Sequence, residues 1–192
     1  MRNGSQNLLD LGCAFGQDIR RLVFDGADSA HCYGSDVQLD FLNLGYELFH
    51  DKDTLGAKFL QADIFDPTSQ LSQLDANVDI IHAASFFHLF SRSDQKDIAH
   101  RVLKLLRPAS NSLLLGRQMA SREPGEVAKL TGEGKQANAT HYRHDERTWQ
   151  QFWQEIGEEA GGIKFDVNVV LRDRVMQNGF KTPVMEYSVR RL

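Results

Sequence analysis

The feature that most constrains this chain is an alternation: short apolar runs closing on glycine or aspartate, each followed by a segment with apolar residues at helical spacing. Asn7 to Leu11 is the first run, and Ile19, Leu22 and Val23 place a helix over 17–24. His31 to Gly34 reads as a second strand ending at Ser35-Asp36, and Leu39, Leu42, Tyr46 and Phe49 share one face of a second helix. Lys58 to Ala62 is a third strand, Leu71 and Leu74 mark a short helix, and Val78 to Ala83 is a fourth strand apolar enough for burial on both faces. Ile98, Val102, Leu105 and Leu106 predict an amphipathic helix with Ser93 as its N-cap and Pro108 just beyond its end. Ser112 to Gly116 is a fifth strand.

From about Ala120 to His144 the chain is polar, glycine-rich and without periodicity, and reads as a long loop. Trp149, Phe152, Trp153 and Ile156 then define a core-facing helix that Gly161-Gly162 ends. Two closing strands, Phe165 to Leu171 and Val184 to Val189, are separated by Gly179 and Pro183. Such alternation requires parallel strands joined by right-handed crossovers, an α/β doubly wound sheet. With 192 residues the chain has room for one well-buried domain, 1–192, with 116–145 as a loop-rich insertion. Ligands bind such sheets beyond the carboxyl ends of the strands. The informative residues fall there.

The first strand ends in Leu9-Asp10-Leu11-Gly12-Cys13-Ala14-Phe15-Gly16. A glycine-rich turn into a helix lets a ligand approach the backbone, and the helix N-terminus favours a negative group. A dinucleotide site uses the same device, but the spacing here is G-x-x-x-G rather than G-x-G-x-x-G. Asp10 also puts a carboxylate in the turn, where it repels a diphosphate and attracts an ammonium group. A zwitterionic amino-acid moiety satisfies both ends. Asp36, ending the second strand, is placed to accept ribose hydroxyls, with Val37 beside it. Asp63, ending the third, is placed to accept an adenine amine, with Ile64 giving backbone N–H and an apolar face. Any one of these aspartates alone is as readily a turn residue or a helix cap. Their order is what carries the reading.

Taken together, Leu8-Leu9-Asp10-Leu11-Gly12-Cys13 with Gly16, then Gly34-Ser35-Asp36, Ala62-Asp63-Ile64 and Val78-Asp79-Ile80-Ile81-His82-Ala83 resemble the successive motifs of class I S-adenosylmethionine-dependent methyltransferases. Leu106-Arg107-Pro108 is similar to the turn before that family's fifth strand. The resemblance implies a mostly parallel seven-stranded, Rossmann-like sheet with an antiparallel last strand. It also implies S-adenosyl-L-methionine as cofactor, held by Asp10, Gly12, Cys13, Gly16, Asp36, Val37, Asp63, Ile64 and Ala83. More narrowly, Ser85-Phe86-Phe87-His88-Leu89-Phe90 and Gly116-Arg117-Gln118 resemble small fungal methyltransferases of meroterpenoid and related secondary-metabolite pathways, which methylate a carboxyl or hydroxyl oxygen.

On that resemblance Phe86, Phe87, His88 and Arg117 line the acceptor side. His88 serves a hydroxyl acceptor as base, whereas a carboxylic acid, ionised at neutral pH, needs none. The alternative role of His88 is capping or packing, and at least one of Phe86 and Phe87 is expected in the core. His141 and His144 read as loop residues in solvent rather than substrate contacts, and Cys13 as packing beside the cofactor rather than a nucleophile. Two departures stand out. Ala14 replaces a glycine, harmless if its φ is negative, and the first strand starts without the upstream helical segment that relatives use to cover the cofactor.

A net charge of -4 argues against the basic footprint of nucleic-acid binding, so the expected partner is a small molecule. Cys13 and Cys32 show no CxxC spacing, so no metal site is predicted and a reducing, cytoplasmic setting is expected. No apolar run is long enough to span a membrane. The expectation on this resemblance is that the cofactor cleft is covered by self-association, as a homodimer, or not at all. Three readings remain open: an O-methyltransferase of a small apolar metabolite, a truncated inactive binding module of the same fold, and a nicotinamide-dependent oxidoreductase.

Overall fold

A computed structural model describes residues 5–128, 140–175, 179 and 181–192. The strands are β1 (Leu8–Leu11), β2 (Cys32–Asp36), β3 (Lys58–Gln61), β4 (Ile80–His82), β5 (Leu113–Met119), β6 (Gly125–Ala128), β7 (Thr140–Arg143), β8 (Phe165–Val175) and β9 (Lys181–Arg191). The helices are α1 (Gln17–Phe24), α2 (Leu39–Phe49), α3 (Arg92–Leu105) and α4 (Glu146–Glu159). One sheet has seven strands in the order β3-β2-β1-β4-β5-β9-β8, while β6 and β7 form a separate pair. The doubly wound α/β sheet with an antiparallel final strand is therefore observed.

The chain divides into two compact units, Met1–Ala83 with Arg101–Leu114 and Ala84–His100 with Leu115–Leu192. In the first, β1 is flanked by β2 and β4, both parallel to it. All four β1 residues, Leu-Leu-Asp-Leu, are buried, as a strand covered on both faces must be. The pairing puts Asp10 level with Gly34 on one side and His82 on the other. Ile19 of α1 packs on Cys32 and Ala57, with Val23 and Phe59 around them.

In the second unit, α4 starts on a reciprocal cap. Asp145 Oδ1 accepts from Thr148 N at 2.7 Å, and Thr148 Oγ1 accepts from Asp145 N at 3.0 Å. Trp149, Phe152, Trp153 and Ile156 on its inner face are fully buried. A Cβ at Gly157 would overlap the carbonyl of Ile163, so glycine lets the returning chain close on the helix. Outside, Arg92 and Lys96 of α3 bridge Glu155, and Lys96 also reaches Glu159.

Several local expectations change. α3 begins at Arg92, so its cap is Ser91, whose Oγ accepts from Asp94 N at 3.2 Å; Ser93 lies inside the first turn. The sequence there offers two serines, and only backbone geometry chooses between them. The β8–β9 hairpin is longer than its apolar cores, pairing from Phe165↔Arg191 to Val175↔Lys181. Pro183 therefore lies within β9, opposite Asp173, where its carbonyl accepts from Ala120 N at 2.9 Å. The stretch 120–144, expected as a loop, contains β6 and β7, antiparallel from Gly125↔Arg143 to Ala128↔Thr140; between them, 129–139 lies outside the described residues.

Candidate functional site

Three residues of the first turn take positive φ: Gly12 (72°), Ala14 (48°) and Gly16 (67°). The turn is anchored by Ser35, whose carbonyl accepts from Gly12 N at 2.8 Å and Cys13 N at 3.0 Å. A Cβ on Gly16 would overlap the Phe59 ring, and one on Gly34 would lie 2.6 Å from that ring and 2.9 Å from Cys13 Sγ. Both glycines are thus required by close packing. Ala14 sits at positive rather than negative φ, and an L-residue in the left-handed region costs roughly 1–2 kcal/mol. Its N–H is compensated by Asp36, whose Oδ2 accepts it at 2.9 Å.

Asp36 Oδ1 accepts from Gln38 N at 2.9 Å, so this carboxylate ties the glycine turn to the start of α2. Each oxygen retains a second lone pair for a hydroxyl donor. Val37 is 54% exposed beside it. Asp63 is exposed and its Oδ1 accepts from Phe65 N at 2.9 Å, while Ile64 and Ala83 are buried. Cys13 is buried, and desolvation, followed by the charges of Asp10 and Asp36, pushes its thiol far above the usual range, as a packing cysteine requires.

Asp10 is 3% exposed. Its Oδ1 is bonded to His82 Nδ1 at 2.8 Å, while its Oδ2 is buried without a hydrogen-bond partner. Burial raises its pKa and the His82 bond opposes that rise. A buried acceptor without a donor is costly unless a ligand supplies one. A primary ammonium group has the right charge and donors, so this site fits the amino end of an amino-acid ligand.

The second unit carries the acceptor-side candidates. Ser85 holds φ 55°, and its N–H donates to Arg117 O at 2.6 Å. Strain of this kind collects at functional segments. Phe87 is fully buried, its ring edge-on to Trp149 at 5.4 Å and Trp153 at 6.4 Å, whereas Phe86 is partly exposed. Phe87 is thus a core residue in this structure, with no surface to offer a substrate. Arg117 is exposed. His88 is partly buried; desolvation first, then the Arg143 and His141 charges, lower its pKa to about 4, and its Nδ1 is buried without a partner.

His144 is no solvated loop residue: it is fully buried between Gln95 and Thr148 against Trp149 and Phe152. His141 lies on β7. Sequence reasoning left His82 and Arg143 without roles. His82 stands 72 residues from Asp10, and only the strand register makes them neighbours.

Comparison with known proteins agrees with this geometry. Residues 8–109, more than half of the chain, match the family described as a methyltransferase domain. The chain is similar to O-methyltransferase phiE of a fungal species (strain ATCC 74256), 39% identical over 170 residues, covering 88% of this chain and 55% of that protein. It is also similar to methyltransferase adrK of Penicillium rubens, 40% identical over 155 residues, covering 80% and 54%. The chain thus spans about half the length of the curated relatives it matches. A SAM-dependent methyltransferase from Methanosarcina mazei shares the fold at 14% identity, with a TM-score of 0.69 over 98% of this chain and 93% of that one. With its strand-end glycine turn, its three ordered aspartates and a family match across β1 to α3, the chain belongs to the methyltransferase domain family.

Proposed function

We propose that the chain, acting over 1–192 as one methyltransferase domain, uses S-adenosyl-L-methionine to methylate an oxygen of a small, apolar secondary metabolite of terpenoid or polyketide type. The observation that carries the cofactor reading is the buried, unpartnered Asp10 Oδ2 beside the glycine turn. When bound, the cofactor supplies an electrophilic methyl group on a sulfonium. Asp10 accepts the ammonium group, the Gly12–Gly16 turn cradles the amino-acid end, and Asp36 accepts ribose hydroxyls while holding Ala14 N. Asp63, Ile64 and Val37 take the adenine side. Rate enhancement then comes mainly from alignment, since methyl transfer is an in-line displacement.

Among oxygen acceptors the second unit favours a carboxylate. A histidine with a pKa of about 4 is a weak base for a phenol with a pKa of about 10, whereas a carboxylic acid is already ionised at neutral pH. Arg143 beside His88 favours an anion over a neutral acceptor. The fungal relatives, named as methyltransferases and one of them as an O-methyltransferase, support methyl transfer as the activity. The two unpaired, buried cysteines are consistent with a reducing cytoplasm, and no described helix is long and apolar enough to cross a membrane. Leu39, Phe41, Leu44 and Leu48 of α2 are exposed and support self-association, which light scattering measures.

The test is calorimetric titration with S-adenosylhomocysteine and NADH, followed by transfer of labelled methyl to a panel of apolar carboxylic acids. Binding of the first ligand and loss of both binding and transfer in Asp36→Ala is the expected result. NADH binding without S-adenosylhomocysteine binding overturns the cofactor reading in favour of an oxidoreductase. Cofactor binding with no transfer to any acid favours a binding module.

A further inference from the structure

We propose that His82 is a positioning residue of the cofactor site, holding Asp10 so that its second carboxylate oxygen presents an ionised acceptor to the cofactor's ammonium group. The proposal rests on the methyltransferase reading and assigns a role to a residue outside the glycine turn and the strand-end aspartates. Its basis is geometric. Parallel pairing of β1 and β4 sets Asp10 and His82 at the same level of neighbouring strands. The resulting Nδ1 to Oδ1 distance is 2.8 Å, which leaves Oδ2 as the buried oxygen without a partner. Because ionised Asp10 can only accept, His82 Nδ1 must carry the proton of that bond.

The chemistry requires such a partner. Asp10 is almost wholly buried, and nearby Asp18 and Asp36 add negative charge, so desolvation and repulsion both push the carboxyl towards its protonated form. A protonated Asp10 would turn an O–H, or a neutral carbonyl, towards the ammonium N–H donors. The His82 bond opposes that outcome and fixes the rotation of the carboxylate about its own axis. Register alone makes this pairing: shifting β4 by one residue would turn the imidazole to the opposite face of the sheet.

The experiment compares S-adenosylhomocysteine with its analogue lacking the amino group, titrated calorimetrically into the full chain as wild type, His82→Ala and His82→Asn. Asparagine places an amide N–H where the imidazole Nδ1–H stands. The expected result is that wild type prefers the amino-bearing ligand about tenfold or more, in line with a hydrogen bond to a charged group. That preference should largely vanish in His82→Ala, recover in His82→Asn, and leave affinity for the desamino analogue unchanged. Equal loss of both ligands in His82→Ala shows a merely structural role and overturns the proposal. So does an undiminished preference in that variant. If wild type binds neither ligand, the cofactor reading itself fails, which is distinct from either outcome.

Discussion

His144 makes the fold acid-sensitive, and the size of the effect follows from its surroundings. Gln95 Nε2 donates to Phe90 O at 3.0 Å and Tyr142 O at 2.9 Å, which turns Gln95 Oε1 towards His144 Nε2 at 3.2 Å. An amide oxygen only accepts, so Nε2 carries a proton, and burial keeps Nδ1 from gaining a second one at neutral pH. Desolvation, reinforced by the Arg92 charge, lowers the His144 pKa to about 3. The unfolded chain, with a histidine pKa near 6.5, therefore binds the proton first, and stability falls as pH drops below about 6.5. At 1.36 kcal/mol per pH unit, going from about pH 7.5 to about pH 5 costs roughly 2 kcal/mol from this residue. Loss grows no further once pH reaches about 3, where the native ring also protonates.

The assay is urea unfolding at both pH values, followed by the fluorescence of Trp149 and Trp153, the two tryptophans of the chain. Trp149 lies 5.1 Å from the His144 ring, so the reporter sits in the affected core. His144→Gln keeps an N–H donor towards Gln95 but has no proton to gain. It should lose about 2 kcal/mol less than wild type over the same interval, whatever its absolute stability. Parallel losses in the two proteins would refute the argument that burial keeps this imidazole neutral.

Ala14→Gly relieves a positive φ and should stabilise by about 0.5–1 kcal/mol after the entropy cost of glycine, a rise in Tm of about 1–4 °C by calorimetry; an unchanged or lower Tm contradicts the strain argument. Phe87→Ala empties a fully buried ring site and should cost about 3–5 kcal/mol in urea unfolding, and a variant as stable as wild type refutes its core placement. Cys13 and Cys32 are both buried thiols with raised pKa values, so a thiol reagent should modify neither until the chain unfolds. One rapidly reacting thiol in the native protein would overturn that.

The sequence was most legible where one residue type has one physical use. Apolar runs with Asp10, Asp36 and Asp63 at or near their carboxyl ends marked the strands, and the spacing of Trp149, Phe152, Trp153 and Ile156 marked a buried helix face, because run length and a period of 3.6 are local properties of the chain. It was least legible between 120 and 144. There β6 and β7 are short, and their pairing rests on a long-range register that local composition does not encode. His144 was misplaced for the same reason: its burial is decided by Gln95, distant in sequence, together with the α4 aromatics.

What the sequence by itself determined is the alternating architecture, the glycine turn and the order of three acidic strand ends, all set by nearest-neighbour chemistry. Tertiary structure decided the electrostatic state of those groups. Only strand pairing brings His82 to Asp10, leaves one carboxylate oxygen buried and unpartnered, and gives Ala14 its positive φ against Asp36. Proton affinity and acceptor direction depend on desolvation and on neighbours across the sheet, and these come into being only when distant segments pack together.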